Sequence, residues 1–279
     1  MKFYANAKIN LVLDVTGKRD DGFHNVRMIM QTLELCDVID ISKTESKIVL
    51  TGNDSALNYD NTNLAFRAAE LFFEKSRIAG GCKIHIEKNI PICAGMAGGS
   101  SDAATVLYAL NQLYDKPLSE NELLCYGAIL GSDVPYCIMK GTVLAEGRGE
   151  VLTKIPTFTA DNILIVKPDI GISTPWAYKN LKLNEINHPD IDKAIYYIGR
   201  KAELYPLFEN VFETVVFGEY PEVKEIKDAM LSLNANVALM SGSGPTVYGI
   251  FENKEDLENA YNIFTKKYKQ VYITKTYNP

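Results

Sequence analysis

From Asn162 to the end of the chain, the spacing of apolar residues changes in an order that few folds can satisfy. Asn162 to Val166 is a short apolar run of strand length. Helical spacing follows over 175–182 and 190–215. Pro221 then opens a helix with Val223, Ile226, Met230 and Leu233 on one stripe, the proline standing in the first turn, where no N–H is needed. Val237 to Met240 reads as a strand, Ser241 to Gly244 as a turn and Thr246 to Phe251 as a strand; 254–268 reads as a helix and 270–277 as a strand. Strand, helix, strand, strand, helix, strand is the order of a split β-α-β, ferredoxin-like unit.

The first half has a different rhythm, so the expectation is an α+β chain of two domains. They span 1–155 and 156–279, with 154–162 as the linker; 279 residues is comfortable for two cores. Ala5 to Val15 alternates, with Ile9, Leu11 and Leu13 on one strand face and Lys8, Asn10 and Asp14 on the other. That second face is either solvated or lines a cleft. An amphipathic helix is expected over 63–75 and a strand over 82–87, where His85 reads as structural. The segment Pro91 to Ala104 (PICAGMAGGSSDAA) runs from a glycine-rich turn into a helical pattern, with Ser100 and Ser101 as the helix start signal. Ser119 and Glu122 form a capping box for a helix over 120–130, and Gly131 stands where a C′ glycine belongs. Asp133 therefore falls at a chain reversal. Residues 141–152 read as a hairpin turning at Gly147 and Gly149.

Charge and cysteine usage remove several function classes. The net charge is −6 and the lysines are scattered among acids, so a basic stripe for nucleic acid is missing. Five cysteines without a C-x-x-C pair fit a reducing compartment and neither a disulfide framework nor a zinc ribbon. The N-terminus is not a signal peptide, and no apolar run reaches membrane-spanning length. The expectation is a cytoplasmic protein without nucleic-acid or membrane partners, a monomer or weak homodimer.

An acidic chain can still bind a polyanion through a local field. A helix N-terminus offers unpaired N–H groups and a partial positive charge, and glycines let those amides approach a phosphate. The segment from Gly95 to Ser101 has that composition; the plain alternative is a tight turn. It lacks the G-K-[ST] ending of a Walker A loop and is not G-x-G-x-x-G. Phosphoryl transfer also needs a cation near the developing charge, magnesium, and a group that orients or deprotonates the acceptor hydroxyl. Lys8 and Asp133 are candidates for the cation and the base.

Three separated blocks carry a resemblance. The first is Ala7-Lys8-Ile9-Asn10-Leu11 with Gly17 to His24; the second is Pro91 to Ala104 with Gly131 to Pro135; the third is Ser241 to Thr246. Together they resemble the GHMP kinase superfamily and, within it, a kinase whose substrate alcohol carries a cytosine ring. The resemblance implies a two-domain GHMP fold that uses ATP and magnesium. Asp133 matches the catalytic aspartate, Lys8 the lysine that holds it and the reacting oxygen, and Asn10 the substrate-side asparagine. Gly95, Met96, Ala97, Gly98, Gly99, Ser100 and Ser101 match the phosphate loop, with Pro91 leading into it and Ser101 as a magnesium candidate. Asn63, Leu64 and Lys88 match the adenine contacts. Phe23, His24 and Tyr178 match a clamp on the cytosine ring, and Gly242, Ser243 and Gly244 lie near the substrate phosphates. Trp176 is either core or pocket wall.

Two positions depart from the family. Met96 and Ala97 stand where leucine and glycine are usual, and Phe23 where tyrosine is usual. A positive φ at 97 would strain alanine by about 1 kcal/mol or more. Two other readings stay open: a mevalonate- or sugar-type kinase on the same fold, and a catalytically silent nucleotide-binding homologue.

Overall fold

The computed structural model describes residues 1–279. Contacts group the chain into two compact units: Met1–Ala7, Leu35–Ile92 and Ala97–Lys140 form one, and Lys8–Glu34, Cys93–Met96 and Gly141–Pro279 the other. These units do not follow the division at 155/156. Two long strands, β1 (Lys2–Lys18) and β2 (His24–Thr44), each contribute to both.

In the first unit, the later part of β2 pairs antiparallel with β4 (Gly81–Glu87), and β3 (Ile48–Gly52) pairs parallel with β4. The alternation read over 82–87 is observed: Cys82, Ile84 and Ile86 are buried, while Lys83, His85 and Glu87 face out. His85 Nδ1 lies 3.0 Å from Thr51 Oγ1 on the neighbouring strand. Helices α1 (Leu64–Ser76), α2 (Gly98–Leu113), α3 (Glu120–Leu130) and α4 (Val134–Met139) complete this unit, with α2 packing against the other three. α2 is buried along most of its length, from Ser101 to Leu107, so it forms the core rather than covering it.

The capping box at Ser119 is present as read. Gly131 ends α3, but in extended backbone (φ 173°) that any residue adopts, so its glycine is not a left-handed cap. The serine start signal of α2 is also corrected. The helix begins at Gly98, its N-cap is Ala97, and Ser100 and Ser101 lie inside the first turn without capping it.

In the second unit, the early part of β2 pairs with β5 (Thr142–Glu146), which forms the expected hairpin with β6 (Val151–Lys154). Gly147 and Gly149 occupy the turn at φ 71° and 111°. The expected linker is held in place: Phe158 and Ala160 are both buried. A second sheet takes the order β10-β7-β9-β8, all antiparallel, from β7 (Ile163–Lys167), β8 (Val237–Met240), β9 (Val247–Ile250) and β10 (Gln270–Thr274). Helices α9 (Pro221–Ser232) and α10 (Lys254–Phe264) pack on it. This is the split β-α-β arrangement read from the sequence.

The helical spacing over 190–215 does not form one helix. It breaks into α6 (Ile191–Tyr196), α7 (Lys201–Leu204), a 3-10 turn at Tyr205–Leu207 and α8 (Glu213–Glu219). Pro206 removes a backbone donor. The chain at 209–211 is then taken by strand pairing: Leu13 N donates to Glu209 O at 2.8 Å and Val211 N to Leu13 O at 3.1 Å. α5 (Thr174–Asn180) precedes this stretch. No helix is long and apolar enough to cross a membrane.

Candidate active site

Alternation places Lys8 and Asn10 on one face of β1, and both are buried, at 4% and 0% exposure. The solvated-face reading is thereby excluded. A buried ammonium needs a partner, and Lys8 Nζ donates to Asn10 Oδ1 at 2.7 Å. The same oxygen accepts Gly242 N at 3.0 Å, and Asn10 O accepts the Tyr248 hydroxyl at 2.9 Å. The amide of Lys8 donates to Met96 O at 3.1 Å, which fixes the glycine-rich loop against β1.

The loop from β8 to β9 meets that same loop. Ser241 Oγ donates to Gly95 O at 3.0 Å. Gly95 has φ 72°, and a Cβ there would run into Ser241 O, so both the backbone angle and the approach require glycine. Gly242 (φ 57°) and Gly244 (φ 81°) shape the turn, and Ser243 Oγ lies 2.8 Å from Thr174 Oγ1. Buried Asn210 holds the turn from beneath, donating to Met240 O at 2.7 Å and Gly242 O at 2.8 Å. No motif marked Asn210; its role arises from strand pairing distant in sequence.

The loop feeds α2 through Ala97, whose φ is 58°. Gly98 and Gly99 leave the first turn without Cβ atoms, and no acidic side chain stands in that turn. Its N–H groups and dipole form an anion site. Ser101 is 1% exposed and its Oγ has no hydrogen-bond partner; Thr246 Oγ1, in the β8–β9 loop, is likewise buried and unpartnered. Buried hydroxyls are normally satisfied, so these two point to groups that arrive from outside. The left-handed alanine is a local cost. Ala97→Gly is expected to raise stability by about 1 kcal/mol, a Tm rise of roughly 2–4 °C, read by thermal unfolding.

Two family descriptions match the chain, "GHMP kinases N terminal domain" over residues 63–141 and "GHMP kinases C terminal" over 183–270. A 4-diphosphocytidyl-2-C-methyl-D-erythritol kinase of Acetivibrio thermocellus is 46% identical over 98% of this chain and 97% of its own. The chain belongs to the 4-diphosphocytidyl-2-C-methyl-D-erythritol kinase family of the GHMP kinases. A relative in Clostridium tetani with the same name is 44% identical over 99% of this chain and all of its own. A crystal structure titled 4-(cytidine 5'-diphospho)-2C-methyl-D-erythritol kinase superimposes with TM-score 0.87 at 29% identity, covering both chains fully. Homoserine kinase from Cytophaga hutchinsonii shares the fold, with TM-score 0.76 at 18% identity over 99% of this chain and 94% of its own.

Against that family pattern, the residues matched to the adenine end sit around the start of α2. Leu64 lies beside Gly99 and the Lys88 ammonium beside Gly98. Pro91 is buried. Asn63 serves as the N-cap of α1, accepting Ala65 N at 2.9 Å and donating to Asn58 O at 2.8 Å. The ammonium of Lys88 is committed to Asp37 and to Asp102, the latter at 2.8 Å, with all three side chains at most 5% exposed. Asp37 also accepts the amides of Asn89 at 2.6 Å and Ile90 at 2.8 Å. Burial pushes the Asp102 carboxyl up to about 7 against the pull of Lys88. Burial alone would lower Lys88, but the two carboxylates outweigh it and its pKa is raised. The lysine read as an adenine contact is thus the centre of a buried charge triad under the phosphate loop.

The aromatic clamp is arranged differently from the expectation of one ring on each side of a base. His24 stacks directly on Tyr178, with centroids 4.9 Å apart and planes at 26°, and Tyr178 meets Phe212 edge-on at 4.8 Å. Burial, then the charge of Lys18, lowers the His24 pKa, so its imidazole is neutral at pH 7. Phe23 stands apart at 52% exposure, with Arg148 over its ring. Trp176 is half-buried and edge-on to Tyr220.

Asp133 occupies the N-cap position of α4 with φ −82° and ψ −14°, half-buried. The sequence read its chain reversal but not the short helix that follows. No group of three or more His, Cys, Asp or Glu side chains is placed to hold a metal ion.

Proposed function

We propose that this protein transfers the γ-phosphate of ATP to the 2-hydroxyl of 4-diphosphocytidyl-2-C-methyl-D-erythritol, a step in making isoprenoid precursors. The observation that carries the kinase chemistry is the glycine cradle from Gly95 to Ser101, which opens α2 with an unpartnered buried hydroxyl. The substrate comes from the names of near-full-length relatives.

In this reading, the amides of Gly98 to Ser100 bind the ATP phosphates, since the Ser101 amide is taken by Ala97 O at 2.8 Å, and Leu64 packs at the nucleoside end. The Ser101 hydroxyl is the group this chain would offer a magnesium ion, which would supply neutralisation of phosphate charge. Asp133 takes the proton of the acceptor hydroxyl. Lys8, aimed by Asn10, offsets the negative charge that develops. Gly242 to Gly244 present the turn to the substrate phosphates, and Phe23, His24 and Tyr178 select the cytosine ring. The family matches at 63–141 and 183–270 leave 142–182 between them, which accommodates domains of 1–155 and 156–279 as sequence units, with β1 and β2 running through both compact units. Five cysteines, none in a disulfide, support a reducing, cytoplasmic setting, and a monomer or weak homodimer is the assembly we assign.

The test is ADP release from ATP and magnesium with 4-diphosphocytidyl-2-C-methyl-D-erythritol, run beside mevalonate, homoserine and galactose. Turnover with the cytidyl alcohol alone is the expected result. Preferred turnover of another alcohol would replace the substrate assignment, and ATP binding without turnover of any would point to a silent homologue.

A further inference from the structure

Two turns in the second unit converge on Phe23. The first spans Arg19 to Phe23 and is closed by Arg19 N donating to Phe23 O at 2.8 Å and Gly22 N to Arg19 O at 3.2 Å. Asp21 Oδ1 accepts Phe23 N at 3.1 Å, and both Asp21 oxygens accept Arg19 Nε, at 3.1 and 3.0 Å. Arg19 Nη1 reaches Asn25 Oδ1 at 3.0 Å. The second turn, Gly147 to Glu150, is tied to the strand that leaves the first by Val26 N donating to Gly147 O at 2.8 Å. Within it, Glu150 accepts Arg148 N at 2.6 Å and Arg148 Nε at 3.4 Å. The Arg148 guanidinium is thereby held 5.1 Å from the centre of the Phe23 ring.

An aromatic ring at 52% exposure adds little to folding through burial, yet this one is fixed from below by a hydrogen-bonded turn and from one face by an anchored cation. Phenylalanine has no polar tip by which a neighbour can hold it; the face of its ring is the only handle, and a guanidinium is the cation best shaped to use it. With one face taken, a flat ligand ring can stack only on the other. The pair formed by His24 and Tyr178 has already closed on itself at 4.9 Å.

We propose that Arg148 is a positioning residue for substrate recognition: it backs Phe23, so that the free face of the ring is presented as a fixed platform for the base of the cytidyl substrate. The inference rests on the assignment of Phe23 to the base site made under the proposed function. Arg148 acts through Phe23 and does not touch the reacting atoms, so its effect belongs to substrate binding and not to the chemical step.

Arg148→Met keeps the length and apolar stem but loses the cation, and Arg148→Lys returns a cation without the planar face. In the full chain, R148M is expected to raise KM for 4-diphosphocytidyl-2-C-methyl-D-erythritol about two- to fivefold, the range an exposed cation–π contact supports. Its kcat, its KM for ATP and its Tm are expected to stay at wild-type values, with R148K between R148M and wild type. A merely structural role would move Tm or all the kinetic constants together. Calorimetric binding of cytidine 5'-diphosphate, with ADP saturating the ATP site, gives a second readout that needs no turnover. Failure of the wild type to phosphorylate the cytidyl alcohol would remove the proposed substrate, while the cytidine diphosphate Kd of R148M against wild type would still decide the role of Arg148. An unchanged KM and an unchanged Kd in R148M, or a raised KM accompanied by losses in kcat or Tm, overturn it.

Discussion

Asp133→Asn is expected to lower kcat by about 10²–10⁴-fold, the range that follows loss of a positioned general base, while the protein folds as before. The second part of that expectation comes from the backbone. Asp133 sits at φ −82° and ψ −14°, an ordinary right-handed conformation that asparagine adopts equally well, and its side chain makes no cap to the α4 backbone. Asparagine keeps the size of the side chain and removes its negative charge together with the capacity to take a proton. Steady-state kinetics with 4-diphosphocytidyl-2-C-methyl-D-erythritol, together with a thermal melt, separate the two effects. A kcat within about threefold of wild type, with an unchanged melt, would remove Asp133 from the chemical step.

Lys88→Met has the largest expected effect on stability. Lys88 is bonded to two buried carboxylates, Asp37 at 0% and Asp102 at 5% side-chain exposure. Breaking a buried ion pair from one side costs about 3–5 kcal/mol, because the remaining charge is left uncompensated in low dielectric. For a chain of this size that is a Tm loss of roughly 6–20 °C. Asp37 keeps two backbone donors, from Asn89 and Ile90, so Asp102 is the carboxylate that must take up a proton when the lysine is gone. Folded Asp102 already binds its proton more tightly than the ordinary carboxyl value of 3.8, with a pKa of about 7. Its contribution to stability is therefore full below about pH 3.8 and is lost as pH rises through about 7. The deficit of the K88M protein should accordingly be smaller at acid pH than at pH 8. Equal melts of variant and wild type at pH 8 would show that the triad does not hold the fold. Since the Lys88 ammonium borders Gly98, the variant should also bind ATP less tightly than wild type at a temperature where both are folded.

Local patterning was enough to identify the elements that lie one after another in the chain. The order of the last sheet, the α3 capping box, the β5–β6 turn and the pairing of Lys8 with Asn10 on one face all follow from periods of 2 and 3.6 residues and from turn chemistry. The glycine-rich loop could be read as an anion site for the same reason, since a helix N-terminus and missing Cβ atoms are properties of contiguous residues.

Tertiary structure decided whatever depended on distant partners. Asn210 and Gly242 meet only because 209–211 pairs with β1, and that pairing also interrupts the helical pattern over 190–215. The helix start moved from the serines to Ala97 because the loop must turn left-handed beside β1, which overrides capping preference. Lys88 is matched to an adenine contact by resemblance, and its buried partners Asp37 and Asp102 stand 51 residues earlier and 14 later. Sequence carries the periodicity of each element and the chemistry of each side chain. Which buried charges meet depends on packing between elements, and no local signal encodes that.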